Sequence, residues 1–408
     1  MKMRIIAILS ILCFWMLQLS GCGIPAKASD LTAGLTARPV EEKPLDETFY
    51  TGQMDFSLKL FQQVAEESAE NVLISPLSVA LALAMTANGA DGTTAEEMQA
   101  VLGGYSMEEL NAYLHTWMKN LPSESQAKLE LANSIWYRDA AELNVKEAFL
   151  QTNVDHYDAS IYQDAFDQET VKKINQWVKT NTDGMIPHIL NEIDPDTMMI
   201  LINALAFDAK WNKPYEKSDV NEEIFTALDG TEQTAQMMRS IEFIYLEEEN
   251  AVGFLRNYKG GNYSFGALLP NEGITLSEFI DSLTAEGWKS LLQNAQEEVI
   301  SAYLPKFSNE YSMELNDALK AMGMPSAFNG ANFSKISDCA LFIDRVIHKT
   351  FIEVDEQGTK AAAVTGIMLN KGASGMPEKE VRLDRPFVYF ILDNNTNLPI
   401  FMGTVTSI

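Results

Sequence analysis

Residues 353–375 carry the sequence EVDEQGTKAAAVTGIMLNKGASG, a stretch that suits two conformations. From Thr359 onward, alternate positions are small or apolar, as in a β-strand with one buried side. These positions are Thr359, Ala361, Ala363, Thr365, Ile367 and Leu369. Gly and Ala lower the β-propensity and the closing GASG is typical of an exposed loop, yet no proline stands between Gly358 and Met376 to prevent strand pairing. The pattern predicts a loop that is able to become a central strand.

Taken alone, the same residues leave a helix or an ordinary surface loop open, because the run TKAAAV has a high helix propensity. The choice between these conformations depends on whether the rest of the chain supplies a sheet for this segment to enter.

The composition indicates a globular protein with a sizeable core. The chain has 408 residues, of which 46% are hydrophobic and 10% aromatic, enough for one large domain or two ordinary ones. It carries 57 acidic and 30 basic residues, a formal net charge of −27. Nucleic acid is therefore excluded as a partner, because most of this surface would repel a phosphate backbone.

The N-terminus has the features of a secretory signal at residues 1–21. Lys2 and Arg4 precede an apolar run at residues 5–19, which is too short for a comfortable membrane span. The ending LSGC resembles the lipobox of bacterial lipoproteins, in which Cys22 becomes the lipidated first residue of the mature chain. Ordinary secretion with an incidental cysteine is the alternative. We expect a secreted protein on a bacterial cell surface that contacts the membrane only through Cys22.

The cysteines and the following segment extend this prediction. With Cys13 removed and Cys22 acylated, Cys339 is left alone, so an intrachain disulfide is excluded. Residues 22–48 comprise the lipidated cysteine and a stretch rich in Ala, Thr, Pro and Glu, which is predicted to be a flexible tether. Residues 49–408 are predicted to form the folded domain.

Helical and strand patterns intermix along residues 49–408 without a repeat or a linker-like break. Residues 198–207 are almost continuously apolar, which is typical of a central strand buried on both faces. Ser75 is a natural N-cap for a buried helix that has Pro76 at its first position. Further strands are predicted at residues 130–137, 253–255, 263–269, 299–304, 345–354, 387–393 and 400–405. The pattern predicts one α+β domain with large mixed, mostly antiparallel sheets.

The sequence contains no constellation of residues typical of catalysis or metal binding. Of His115, His156, His188 and His348, none adjoins a nucleophile motif. His348 lies inside an apolar run and is predicted to be a buried strand histidine with a structural hydrogen bond. His156 has neighbouring aspartates but no second cluster with ligand spacing. We therefore expect no metal, no cofactor and no enzyme activity.

Several separated motifs resemble those of the serpins. The motifs are NVLISPLS at 71–78, INQWV at 174–178 with TDGMI at 182–186, NALAF at 203–207 with Lys210 and Trp211, LPKF at 304–307, MGM at 322–324, VIHKTFIEVDEQGT at 346–359, VRLDRPFVY at 381–389 and FMG at 401–403. Each is weak alone, but their order and joint presence make the chain similar to serpins over nearly all of residues 49–408. The resemblance implies a single domain with about nine helices and an exposed reactive-centre loop.

The resemblance also implies a mechanism. A serpin is a suicide-substrate inhibitor of serine, or sometimes cysteine, endopeptidases: the protease cuts the loop, becomes acylated, and is trapped when the loop inserts into the main β-sheet. A fourteen-residue insert spans roughly 45 Å at about 3.3 Å per residue. The implied hinge and insertion residues are Glu356, Gly358, Thr359, Ala361, Ala362 and Ala363, and the implied shutter and breach residues are Ser75, Ser78, Asn203, Trp211 and His348.

The site of cleavage stays open within residues 368–375. Family spacing puts the cleaved residue about sixteen positions past Glu356, at Gly372, with Lys371 and Ala373 on either side. Counting back from residues 385–387 gives a position near Gly375 instead. Lys371 suits a trypsin-like protease, whereas the apolar and small residues around it suit elastase-, chymotrypsin- or subtilisin-like proteases.

One departure from the family pattern leaves a second function open. Lys360 stands where an acidic residue is common, although it lies on the outward parity and its charge can remain in water during insertion. Together with the long, Gly-rich loop, it is the support for a non-inhibitory serpin-fold binding or chaperone-like protein. The inhibitor is the favoured prediction, acting as a monomer.

Overall fold

The computed structural model describes residues 28–66, 68–122, 127–359, 377 and 379–408. Within these residues there are nine α-helices. They are α1 Glu47–Glu66, α2 Pro76–Ala87, α3 Gly92–Val101, α4 Met107–Asn120, α5 Glu147–Tyr157, α6 Gln168–Asn181, α7 Leu276–Ser282, α8 Ala285–Gln293 and α9 Asn316–Met322.

The strands of the described residues form three sheets. In chain order they are β1 Ser29–Asp30, β2 Leu73–Ile74, β3 Ala127–Arg138, β4 Ser160–Asp164, β5 Met199–Lys210, β6 Val220–Thr226, β7 Glu232–Glu242, β8 Ile244–Glu247, β9 Ala251–Asn257, β10 Tyr263–Pro270, β11 Ile300–Pro305, β12 Phe307–Glu314, β13 Arg345–Val354, β14 Gly358–Thr359, β15 Lys379–Arg382, β16 Phe387–Asp393 and β17 Leu398–Val405.

The main sheet has seven strands in the order β1-β4-β3-β5-β14-β13-β12, and β5 also pairs directly with β13. The second sheet has the order β2-β17-β16-β10-β9-β8, and the third has the order β15-β11-β7-β6. Parallel and antiparallel pairs occur together in the main and third sheets. The predicted α+β class with large mixed and antiparallel sheets is confirmed.

Strand β5 lies at the centre of the molecule because both of its faces are covered. Leu201, Leu205 and Phe207 point into the largest hydrophobic core. Ile200 and Ile202 point the other way, into a second core that also contains apolar residues of α6. Two covered faces explain why this strand is apolar almost throughout instead of alternating.

Helix α2 supports the main sheet from inside the larger core. The side chain of Ser75 accepts a hydrogen bond from the backbone N–H of Ser78, and Pro76 occupies the first turn, as the sequence predicts. All twelve residues of the helix are buried. Its N-terminus is therefore held at a fixed place beneath the sheet.

The segment that precedes α1 differs from the flexible tether expected at residues 22–48. From Ala28 onward it lies on the domain: β1 pairs antiparallel with β4 at the edge of the main sheet. The backbone N–H of Arg38 donates to Asp155 at 2.8 Å, and its guanidinium binds the same carboxylate at 2.6 Å. Leu31 and Leu35 pack against the core. These hydrogen bonds and apolar contacts hold a segment that composition alone assigns to a linker.

Candidate functional site

A two-residue strand, β14, lies between β5 and β13 at the C-terminal end of β5. It is antiparallel to both neighbours: Thr359 faces Ala209 on one side and Val354 on the other. Beyond β14, β5 and β13 pair directly and in parallel over seven residue pairs, residues 200–206 with residues 345–351. The main sheet thus divides near one end, and β14 occupies the opening.

Gly358 allows the hinge backbone to come close to β5. A Cβ built at this position would lie 2.0 Å from the carbonyl oxygen of Ala209 and 2.8 Å from the Cα of Lys210. Only glycine avoids this clash with backbone atoms, which cannot move without disturbing the strand. Glycine is therefore required at residue 358 because the backbone of the hinge lies directly against the backbone of β5.

Thr359 points its side chain into the protein. The residue is fully buried, and its hydroxyl hydrogen-bonds with the hydroxyl of Tyr258. Burial raises the pKa of Tyr258 above its ordinary value, so the phenol keeps its proton for this bond. The ring of Tyr258 in turn stacks on Trp211, with centroids 4.6 Å apart and planes 9° from parallel.

The loop that follows β5 holds three successive carbonyl groups of the hinge. The indole Nε1 of Trp211 donates to the oxygen of Asp355 at 2.8 Å, and its backbone N–H donates to the oxygen of Gln357 at 2.9 Å. The backbone N–H of Tyr215 donates to the oxygen of Glu356 at 2.8 Å. We call Trp211 and Tyr215 the hinge platform, because together they fix the turn between β13 and β14.

An ion pair between Lys306 and Glu356 also lies at the turn between β13 and β14. Lys306 Nζ lies 2.8 Å from the carboxylate of Glu356, and both side chains are about one-third exposed. Partial burial is the largest single influence and opposes ionisation of Glu356, but the hydrogen bond and charge of Lys306 together with a backbone hydrogen bond outweigh it and lower the pKa of the carboxyl below its ordinary value. At this exposure the pair contributes about 1 kcal/mol or less to stability.

A second cluster lies in the middle of the ladder between β5 and β13. Asn203 faces His348 of β13 and Asn133 of β3 in register. The hydroxyl of Ser78 donates to Oδ1 of Asn203 at 2.8 Å, and Nδ2 of Asn203 donates to Oδ1 of Asn133 at 2.6 Å. One asparagine therefore joins three strands to the N-terminus of α2.

The buried imidazole of His348 completes this cluster. Its Nδ1 donates to Oδ1 of Asn203, and its Nε2 accepts a hydrogen bond from the backbone N–H of Ser75 at 3.1 Å. Because Nε2 is an acceptor here, only the neutral imidazole fits. Burial lowers the pKa of His348 to about 3. The cluster consequently carries no charge at neutral pH.

The residues predicted from the sequence fall into two groups in space. Ser75, Ser78, Asn203 and His348 form the central cluster, which we call the shutter. Trp211, Glu356, Gly358 and Thr359 meet at the end of β5. The predicted insertion residues Ala361, Ala362 and Ala363, the cleavage residues Lys371, Gly372 and Ala373, and the lipidation residue Cys22 lie outside the described residues. The insertion and cleavage residues lie in the chain between Thr359 and Lys379, and Cys22 lies in the N-terminal segment before Ala28.

Four further residues of the site are not predicted from the sequence. Lys306 stands in the quoted motif LPKF, and Asn133 is a polar residue inside a predicted strand, so both carried a weak signal. Tyr215 and Tyr258 lie in the loops that follow β5 and β9, and no local sequence pattern distinguishes them from other loop residues. Their roles depend on contacts between distant parts of the chain.

The part of the chain that the structure describes contains neither a cluster of metal ligands nor a helix able to span a membrane. No group of three or more His, Cys, Asp and Glu residues in that part of the chain is arranged to hold a metal ion. None of the helices described there is long and apolar enough to cross a membrane.

Comparisons with known proteins agree with the geometry. The family model described as Serpin (serine protease inhibitor) matches residues 51–408. An uncharacterized serpin-like protein of Thermococcus kodakarensis is 35% identical over 361 residues, covering 85% of this chain and 83% of that protein. The thermophilic serpin Tengpin in its native state is 49% identical with a TM-score of 0.90, over 94% of this chain and 100% of that one. Tengpin in its latent state gives a TM-score of 0.80 at 46% identity, over 90% of this chain and 100% of that one.

Proposed function

The chain belongs to the serpin family, and on this basis we propose that it is a suicide-substrate inhibitor of serine endopeptidases. A protease cuts within residues 368–375 and becomes acylated by the newly formed carboxyl end. The freed strand then enters the main sheet and traps the acyl-enzyme before water can hydrolyse it. The favoured bonds lie at Lys371, Gly372 and Ala373, which suit trypsin-, elastase- or subtilisin-like enzymes.

The position of β14 is the observation that carries this proposal. Because β14 is antiparallel to both β5 and β13, a strand continuing from Thr359 replaces one parallel ladder by two antiparallel ladders. The parallel ladder has seven residue pairs. Antiparallel pairs are slightly more stable per residue, and their number is about doubled. The exchange therefore favours insertion once the loop is free to move.

The side chains of the insert support the same proposal. Thr359 is fully buried, so every second residue after it takes an inward position as the strand extends. Those residues are Ala361, Ala363 and Thr365, which are small and uncharged. Insertion of these residues therefore buries no charge and adds little side-chain volume to the core.

The shutter supplies a barrier against premature insertion. The Asn203–His348 pair is the fourth of the seven pairs between β5 and β13, so an advancing strand must break its buried hydrogen bond. Before cleavage, the chain that follows Thr359 is joined covalently to β15, which begins at Lys379. Cleavage breaks this connection.

We further propose that the protein is a monomeric lipoprotein anchored through Cys22 on the outside of a bacterial cell. Cys22 stands six residues before Ala28, the first residue that the structure describes, which packs against the second core. Six residues span at most about 20 Å. The anchor therefore holds the inhibitor close to the membrane, where exogenous proteases attack the cell surface.

A denaturing gel tests the inhibitory activity. The mature protein is incubated with trypsin, elastase and subtilisin, and we expect a covalent band at the summed mass with at least one of them. Mass spectrometry of the released C-terminal peptide is expected to place the cut within residues 368–375. If every protease cuts the loop and keeps its full activity, the inhibitor is excluded and the non-inhibitory binding protein takes its place.

A further inference from the structure

A buried arginine lies directly beneath the hinge platform. Arg256, near the end of β9, is 5% exposed, and its guanidinium is ion-paired with Glu242 at the end of β7, which is 7% exposed. Its second terminal nitrogen donates to the backbone oxygen of Lys213 at 2.5 Å. The ion pair thus joins the second sheet, the third sheet and the loop that follows β5.

The guanidinium also contacts both rings of the platform. Its central carbon lies 4.0 Å from the ring centroid of Tyr215 and 4.9 Å from that of Trp211. Cations bind favourably to aromatic faces, and more so when they are shielded from water. The two residues whose N–H groups hold the hinge carbonyls are therefore oriented by one planar cation.

Stability alone does not account for this arrangement. Buried ion pairs are commonly replaced by apolar residues of similar volume without loss of stability, because removing charges from water is costly. Here the cost is increased, since Nε of Arg256 is buried without a hydrogen-bond partner. A planar cation is, however, well suited to fixing two rings at once.

We propose that Arg256 is a positioning residue for loop insertion, a role that rests on the proposed inhibitory function. By fixing the rings of Trp211 and Tyr215, it aims their N–H groups at the carbonyls of residues 355–357 and holds the turn between β13 and β14 ready for extension. Insertion begins at this turn. A loose turn lengthens the interval in which the acyl-enzyme is hydrolysed, so inhibitor is consumed as substrate.

The test is the double variant Arg256→Met with Glu242→Leu, which removes both charges and keeps an apolar core. Amide hydrogen exchange is measured for the platform donors Trp211 and Tyr215, and for Ile202 at the centre of β5 as an internal reference. We expect exchange of the two donors to rise at least tenfold, exchange of Ile202 to be unchanged, and the unfolding midpoint to be equal or higher.

Two single variants sharpen the comparison. Arg256→Lys keeps the charge but loses the planar stacking group, so we expect intermediate exchange at Trp211 and Tyr215. Arg138→Met is the matched control: it removes an arginine that lies 5.2 Å from the ring of Phe166, at the other end of the main sheet. Exchange at the platform is expected to stay at the wild-type rate in this control.

The number of inhibitor molecules consumed per trapped protease gives the functional readout. We expect this stoichiometry to rise severalfold in the double variant and to stay near the wild-type value in Arg138→Met. Unchanged donor exchange in the double variant overturns the positioning role, as does faster exchange throughout β5 with a lower unfolding midpoint. Because exchange needs no protease, failure of the wild-type protein to inhibit would refute the proposed function while leaving the positioning of the hinge separately measurable.

Discussion

The buried His348 makes stability depend on pH in a calculable way. Its pKa is about 3 in the folded protein because of burial, against roughly 6.5 in an unfolded chain. The unfolded state therefore binds more protons at any pH between these values. The contribution of neutral His348 to stability is present above pH 6.5 and is lost as the pH falls toward 3.

The size of the effect follows from the two pKa values. One pKa unit corresponds to about 1.4 kcal/mol, and between pH 7 and pH 5 the unfolded histidine becomes almost fully protonated while the folded one stays neutral. The free energy of unfolding is thus expected to fall by about 2 kcal/mol over this range from His348 alone.

Chemical denaturation at pH 7, 6 and 5 measures this slope in the wild-type protein and in His348→Gln. Glutamine has an N–H to donate toward Asn203 and an oxygen to accept from Ser75, but it does not titrate. The other three histidines and all carboxylates are common to both proteins, so they cancel in the difference. We expect the wild type to lose about 2 kcal/mol more than the variant between pH 7 and pH 5. Equal slopes would refute the assignment of His348 as a neutral, buried member of the shutter.

Three further changes test the hinge and the anchor. Thr359→Arg places an unpaired charge in a fully buried position, at a cost of several kcal/mol, so we expect a substrate in place of an inhibitor on a denaturing gel. The control, Thr359→Val, leaves the hydroxyl of Tyr258 without this hydrogen-bond partner, which lowers stability by about 1–3 kcal/mol. This control is expected still to trap protease. Unchanged trapping by Thr359→Arg would count against insertion. Gly358→Ala brings a Cβ to 2.0 Å from a backbone oxygen, so more inhibitor is expected to be consumed per trapped protease, whereas Gly287→Ala in α8 serves as a control without effect. Cys22→Ser is expected to move the protein from the detergent phase to the aqueous phase of a whole-cell extract, and retention in the detergent phase would contradict the lipid anchor.

The main features of the fold follow from local patterns in the sequence. The apolar run at residues 198–207 predicts β5 as a central strand, and the structure places it at residues 199–210 with both faces covered. Strands β13 and β16 have the predicted bounds. The predicted membership of the serpin family is confirmed by the match over residues 51–408. These successes share a cause: each pattern is long, regular and buried.

Other elements are not predicted because their patterns are short or polar. Helix α5 and strand β12 do bury residues at regular spacing, but buried polar residues, Asn153 in α5 and Asn309 in β12, interrupt the apolar pattern in the sequence. The segment before α1 has a linker-like composition, and its packing depends on partners such as Asp155, more than 100 residues away in the chain. In the same way, the platform formed by Trp211 and Tyr215 is visible only once β5, β9 and β13 are brought together.

The central claim is that the chain after Thr359 enters the main sheet between β5 and β13 once the loop is cut. The most direct test is the denaturation midpoint of the protein before and after a single cleavage within residues 368–375. We expect a markedly higher midpoint after cleavage, because two antiparallel ladders then replace the seven parallel pairs between these strands. An equal or lower midpoint in the cleaved protein would contradict insertion.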